Sequence, residues 1–301
     1  MSNKYDTIIL GAGTAGLTAA IYTARKAKSV LVIESTGIGG QISFSPCVEN
    51  YPGFEKISGS EFSDKLYEQC LALGAEIELE TVSKIEVVED GKKLVYSENN
   101  SVVRECEKII IATGVEHRKL GLPNEERLTG RGVSYCAVCD GAFFKGKTVA
   151  VVGGGSSALQ STRLLSGLCE KVYLIHRRNE FRGEQKLADE LKKLPNVEFV
   201  LDSTVEKLNG EKFLESISVK NKLSGEEKDI PLDGLFIYIG QIPNNEIFRG
   251  TVELDQNGYI IASEDCRTNL DGVFAAGDCR TKSVRQLTTA AADGSVAALS
   301  D

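Results

Sequence analysis

The chain has 301 residues, of which 42% are hydrophobic and 26% charged, and its formal net charge is −8. Such a length favours about two domains of an ordinary globular protein, and the acidic balance argues against nucleic acid or an anionic membrane as main partner. No run of about 18 apolar residues occurs, and Met1–Asp6 leads straight into a strand, so neither a membrane span nor a targeting segment is expected.

Eight cysteines are too few for a disulfide scaffold. The expected location is the cytoplasm, where most thiols stay reduced and a close cysteine pair signals redox or metal chemistry.

The first recognisable unit is Asp6-Thr-Ile-Ile-Leu10, a β-branched run, followed by Gly11-Ala-Gly13-Thr-Ala-Gly16 and a helical stretch to about Lys26. A second strand, Ser29–Glu34, closes on an acid. Strand, glycine turn, helix and acid-ended strand form the dinucleotide fingerprint, in which the acid lies about 20 residues on and accepts hydrogen bonds from a ribose. The glycines admit the pyrophosphate to helix N-terminal amides. Further on, Lys108–Gly114 is a strand ending in a turn, and Val115–Asn124 is a connector.

The pattern then recurs. Thr148–Val152 is a strand, Gly153-Gly-Gly155-Ser-Ser-Ala158 the turn, and Lys171–Ile175 the second strand after a helix to about Leu168. In place of the acid stand His176, Arg177 and Arg178, with Arg182 close behind. A basic cluster there favours a 2′-phosphate over a free hydroxyl, hence NADP over NAD. Either fingerprint alone is weak evidence, whereas two in the right strand–helix context reinforce each other. Short antiparallel strands are expected at 203–209, 213–220 and 226–230. An apolar strand at Gly234–Gly240, a strand-to-turn unit at Gly272–Asp278 and a C-terminal helix from about Val284 complete the chain. The predicted fold is therefore α/β: two three-layer Rossmann-like nucleotide-binding domains, the second (116–243) inserted between the halves of the first (1–115 and 244–301).

Between the two fingerprints lies Cys136-Ala-Val-Cys139-Asp140. Zinc would need a second ligand pair, and the only histidines are His117 and His176. Two packed core thiols are possible, since cysteine is a good small hydrophobe. A dithiol–disulfide couple at a helix start suits the two nucleotide units best, because a flavin can carry electrons from a nicotinamide to a disulfide. Asp140 can cap the helix or exchange a proton with a leaving thiolate. The remaining cysteines are expected to be packing thiols, and His117 a solvated connector residue. The charged runs Glu78–Glu89 and Gly225–Lys228 are expected to be solvated strand edges.

These residues together resemble one family, the low-molecular-weight bacterial-type thioredoxin reductases. The likeness spans essentially the whole chain. It rests on the two glycine turns, Gly39-Gly-Gln41, Val48-Glu-Asn-Tyr-Pro-Gly53, Ala112-Thr-Gly114, Cys136-x-x-Cys139-Asp-Gly141, His176-Arg-Arg, Gly277-Asp278 and Arg285-Gln286.

The resemblance implies FAD at Gly11, Gly13, Ala15, Gly16, Glu34, Gly40, Gln41 and Asn50, with Thr113, Gly114, Gly277 and Asp278 beside them. Arg285 and Gln286 resemble the segment near the flavin ring. It implies NADPH at Gly153, Gly155, Ser156, Ser157, Ala158, His176, Arg177, Arg178 and Arg182. Cys139 would face the flavin, Cys136 would attack thioredoxin or a thioredoxin-like small protein, and Asp140 would be the acid/base. A homodimer and domain rotation are further implications.

The chain departs from the family pattern at Thr14, Ser156, Gln160, Ser161 and Asn179, where proline, acids and glutamates are usual. Ser156 and Gln160 fall at the nicotinamide site. An alternative therefore keeps the fold and takes electrons from ferredoxin, or passes them to a peroxiredoxin or small dithiol. The retained glycine turn and arginines favour NADPH. A non-enzymatic NADP-binding redox sensor is the remaining reading.

Overall fold

The structure is a computed structural model that describes residues 3–45, 47–88, 91–98 and 103–300. The chain divides into two compact units, one of residues 1–116 and 242–301, the other of residues 117–241.

The first unit opens with β1 (Lys4–Leu10), α1 (Thr14–Arg25) and β2 (Val30–Glu34), followed by α2 (Gly59–Ala72) and β3 (Glu76–Leu79). An antiparallel excursion, β4 (Val82–Val87) and β5 (Lys93–Ser97), leads into the long β6 (Val103–Ile111). The sheet runs β3-β2-β1-β6-β5-β4. The first half of β6 pairs with β5, while its last residues, Ile109–Ile111, are left for a late strand described below.

The crossing to the second unit is β7 (Val115–His117). The second unit then holds α3 (Glu125–Leu128), β8 (Val133–Ser134), α4 (Ala137–Asp140), β9 (Thr148–Val152), α5 (Ser156–Ser166) and β10 (Lys171–Ile175). It continues with α6 (Gln185–Leu191), β11 (Val197–Val200) and the antiparallel β12 (Ser203–Asn209), β13 (Ser216–Asn221) and β14 (Glu227–Pro231). Last comes β15 (Gly234–Ile237), and the parallel sheet is ordered β11-β10-β9-β15-β8.

The return crossing β16 (Gln241–Pro243) runs beside β7 as a two-stranded ribbon. Back in the first unit, β17 (Val273–Ala275) takes the free end of β6, and α7 (Leu287–Leu299) closes the chain.

Period-two alternation explains both cores. In β1, β2 and β6, Ile9, Val32 and Ile110 face α1 and α7, while Ile8, Leu10, Leu31, Ile33, Ile109 and Ile111 face the other way. There they meet Ile85 and Val95 of the excursion, with Phe248, Val252 and Ile260. The strands are apolar on both faces because both faces are covered. Each such side chain contributes about 1.5–3 kcal/mol on burial. Gly294 lets α7 approach α1, since a Cβ there would collide with the Ala15 carbonyl.

The second unit repeats the scheme. Val149, Val151, Val172, Leu174 and Phe236 face α5 and α6, and Ala150, Val152, Ile175, Leu235 and Ile237 face the β12–β14 sheet. The expectation of two three-layer α/β units on parallel sheets holds. Among the described residues no helix is long and apolar enough to cross a membrane.

Candidate functional site

In the first unit, four strands bring their carboxyl ends to one edge. β1 ends just before Gly11, β2 at Glu34, β6 just before Ala112–Gly114, and β17 shortly before Gly277–Asp278. β1 lies between β2 and β6, so the edge is a switch point, where open α/β sheets bind ligands.

The glycines are sterically required. Gly11 has φ +111°, and a Cβ there would strike the Ala112 carbonyl, while one on Gly16 would strike Gly11's own carbonyl. Glu34 is 7% exposed, and its Oε2 accepts from the Ala12 amide at 2.7 Å while Oε1 accepts from Thr36 and Gly37. Gly13 bridges to Gly39. Next to it Gly40 takes φ +62°, and the Gln41 side-chain Nε2 donates to the Val115 carbonyl. Asn50 Nδ2 donates to Gln286 Oε1 at 3.3 Å, and Thr113 Oγ1 to Asn245 Oδ1 at 3.0 Å. Ala15 packs against Gly277.

Asp278 lies on this edge with its Oδ1 buried and without a hydrogen-bond partner. Burial pushes its carboxyl above the usual range, against the pull of Lys282 and Arg285. Arg285 lies over the Tyr259 ring and donates to the Asp278 carbonyl at 3.3 Å. Gln286 makes the capping box that starts α7. Beneath the turn Asp293, 7% exposed, accepts from the Gly277 amide at 2.9 Å, from Arg280 through both oxygens at 2.8 Å, and from Lys282 at 2.8 Å. Burial opposes its charge, yet the bonds from Arg280 and Lys282 hold it below the usual range.

The second unit gathers another four strand ends: Gly153 after β9, His176 after β10, Tyr238 after β15 and Ser134 at the end of β8. Gly155 caps α5, whose first turn is Ser156, Ser157 and Ala158. His176 is 6% exposed, its ring against Gly154, stacked on Phe181 and bonded to the Glu180 carbonyl at 3.1 Å. Burial first, then Arg177, Arg178 and Arg182, holds His176 below its ordinary value. The ring supports the loop from beneath, while Arg177, Arg178 and Arg182 stand exposed. The loop is pinned where the Arg182 and Gly183 amides donate to the Gly154 carbonyl.

Cys136 and Cys139 form a disulfide at this edge, with Cα atoms 5.3 Å apart. Cys136 caps α4, and its Sγ accepts from the Cys139 amide at 3.2 Å. Asp140 follows, its Oδ1 buried and unpartnered and its Oδ2 accepting from Ser134 at 2.6 Å. Burial raises its carboxyl above the usual range, with Ser134 pulling the other way. Tyr238 Oη accepts from the Ala137 amide at 2.6 Å. A pair joined at a helix start, beside a buried carboxyl, suits reversible two-electron chemistry.

The model for pyridine nucleotide-disulphide oxidoreductases matches residues 5–294. A thioredoxin reductase of Listeria innocua is 46% identical over 294 residues, covering 97% of this chain and 91% of that protein. The chain belongs to the thioredoxin reductases. A thioredoxin reductase of Bacillus subtilis is 43% identical over 297 residues, covering 98% of this chain and 93% of its own. The crystal structure of thioredoxin reductase from Streptococcus pyogenes superposes with a TM-score of 0.93 at 41% identity, covering 99% of this chain and 97% of that one. The chain is an oxidoreductase, and the Cys136–Cys139 disulfide fits the redox-active disulfide of such an enzyme.

The remaining six cysteines are all buried. Burial pushes Cys70, Cys106 and Cys266 up to about 12 and Cys169 and Cys279 up to about 11, which keeps these thiols inert. His117 is not a solvated connector residue: its ring stacks on Tyr135, centroids 5.0 Å apart, and burial lowers its basicity. In the acidic run, Glu78 and Glu80 both pair with Arg104, and Glu89 lies outside the described residues. Ser134, Tyr238, Asn245 and Asp293 were not singled out in the sequence. Only Asp293, an acid within an alanine-rich helix, carried a local signal.

Proposed function

We propose that this thioredoxin reductase carries FAD in its first unit, takes electrons from NADPH in its second, and reduces the disulfide of a thioredoxin-like small protein through Cys136 and Cys139. The observation that carries the reading is the disulfide's place on the same sheet edge as the second glycine turn, with Asp140 buried beside it. Asp278's unpartnered Oδ1 suits the hydroxyl chain of a flavin nucleotide, and the glycines of the first edge allow a pyrophosphate to approach backbone. Around that edge, Gly11, Gly13, Ala15, Gly16, Glu34, Gly40, Gln41, Asn50, Thr113, Gly114 and Gly277 would hold FAD, with Arg285 and Gln286 near its ring. Glu34 keeps room for a ribose hydroxyl on Oε2, which has a single protein donor.

Arg177, Arg178 and Arg182 are exposed around the loop after β10, and no carboxylate pairs with them among the described residues, which suits a 2′-phosphate. Gly153, Gly155 and the first turn of α5 would take the pyrophosphate of NADPH.

When bound, the two nucleotides supply the two electrons that open the Cys136–Cys139 disulfide to a dithiol. The Cys136 thiolate then attacks one sulfur of the partner's disulfide, forming a mixed disulfide and releasing the partner's other sulfur as a thiolate. Asp140, whose carboxyl burial pushes above the usual range, supplies a proton to that leaving thiolate. Cys139 attacks Cys136 Sγ, restoring the intramolecular disulfide and releasing the partner as a dithiol. The resemblance also implies a homodimer, which sedimentation measures.

Anaerobic titration with NADPH, followed by the flavin spectrum, tests the donor. Bleaching is expected, whereas none at excess NADPH transfers that role to ferredoxin. Cys136→Ser should leave this bleaching intact and abolish turnover with thioredoxin, and retained turnover overturns the assignment.

A further inference from the structure

Ala137 is 1% exposed, so water cannot serve its amide, and as the first residue of α4 its N–H has no intrahelical partner. Tyr238 Oη is the acceptor, at 2.6 Å. We propose that Tyr238 is a positioning residue of the redox pair, its hydroxyl holding the amide between the two cysteines and tying it to the nucleotide-binding helix α5. The inference rests on the reading of Cys136 and Cys139 as the redox pair, and adds a residue bonded to the backbone between them.

Tyr238 sits where both features meet. Its own amide donates to the Val152 carbonyl at 2.7 Å, and its carbonyl lies against Gly153, the first glycine of the second turn. Its phenol has a second partner in Ser161, 8% exposed on α5. Burial chiefly keeps the phenol protonated, while the hydrogen bonds that its oxygen accepts from Ser161 and the Ala137 amide pull the other way. Of the cysteines' own amides, that of Cys136 donates to Ser134 Oγ and that of Cys139 points at Cys136 Sγ. One N–H thus serves the sulfur, and Tyr238 occupies its neighbour.

The titratable groups around the pair are few. Asp140 lies on the same helix, and Tyr135, bonded to Glu125 at 2.7 Å and stacked on His117, precedes it. Removing the phenol oxygen leaves the Ala137 N–H uncompensated one residue from Cys136, which favours the thiolate.

The test is alkylation of the reduced holoenzyme with iodoacetamide across pH, reading the Cys136-containing peptide by mass spectrometry. Tyr238→Phe fills the same space and should lower the apparent pKa of Cys136 by roughly half a unit. Ser161→Ala should move it the same way by less. An unchanged or raised pKa in Tyr238→Phe overturns the proposal, and should that variant not fold, an unchanged pKa in Ser161→Ala does so. The readout needs no substrate or nicotinamide, so it fails independently of the assigned turnover.

Discussion

Ser134 Oγ donates to Asp140 Oδ2 at 2.6 Å and accepts from the Cys136 amide at 3.1 Å, so one hydroxyl joins the carboxyl to the backbone of the redox cysteine. A hydroxyl has a single proton, which fixes the direction: amide to serine, serine to aspartate.

Because that bond opposes burial, Ser134→Ala should raise the Asp140 carboxyl further. A hydrogen bond to a charged group is worth about 1.5–3 kcal/mol, so the limb of the pH–rate profile that Asp140 governs should move up by about one unit. Steady-state turnover measured from pH 5 to about 9 reads the displacement. A profile identical to the parent's would remove Ser134 from the proton path.

Asp140 also leaves a mark on stability. Its folded value lies above its unfolded one, so its contribution is fully present below the unfolded value and declines as pH rises through the folded one. Asp140→Asn should flatten that decline in urea-unfolding midpoints and lower turnover by about 10²-fold or more. A variant with the parent's pH dependence and full activity would contradict both roles.

The Asp293 network carries the opposite sign. Its carboxyl is held below the usual value, so its contribution is present above the unfolded value and is lost as pH falls through the folded one. Asp293→Asn keeps the shape but leaves Arg280 and Lys282 buried without their counter-charge. Breaking such a pair costs about 3–5 kcal/mol. Chemical denaturation at pH 7 should show this loss, with the difference from the parent shrinking in acid.

Arg177→Ala and Arg178→Ala should raise KM for NADPH roughly 10-fold or more, as expected for loss of a charge-assisted bond, and leave KM for NADH nearly unchanged. Equal effects on both nucleotides would mean that these arginines do not meet a 2′-phosphate.

The parts legible in the sequence were those whose chemistry is local. Each glycine turn needs close backbone approach within a few residues, and the cysteine pair closes a ring over three positions, so both leave contiguous patterns. What escaped depends on distant chain. Ala137 and Tyr238 are 101 positions apart, and an aromatic at the end of an apolar strand looks like one more core residue until the fold sets it over an amide. His176 reads as part of a basic cluster, yet the groove under Gly154 takes its ring out of solvent and leaves the arginines outside. Helix α2 did carry a signal, Ser58 accepting from the Glu61 amide as its cap, but the surrounding polar sequence obscures its apolar face.

The ribbon of β7 and β16 has an architectural consequence. On one side of it the Arg118 amide donates to the Gly240 carbonyl, and on the other the Asn244 amide donates to the Gly114 carbonyl. The two ends of the inserted unit are therefore no further apart than neighbouring strands, about 4.8 Å. Once folded, the insert spans no gap in its host and adds almost nothing to the host's loop-closure entropy. To the surrounding α/β unit, 125 residues of guest weigh no more than a tight hairpin.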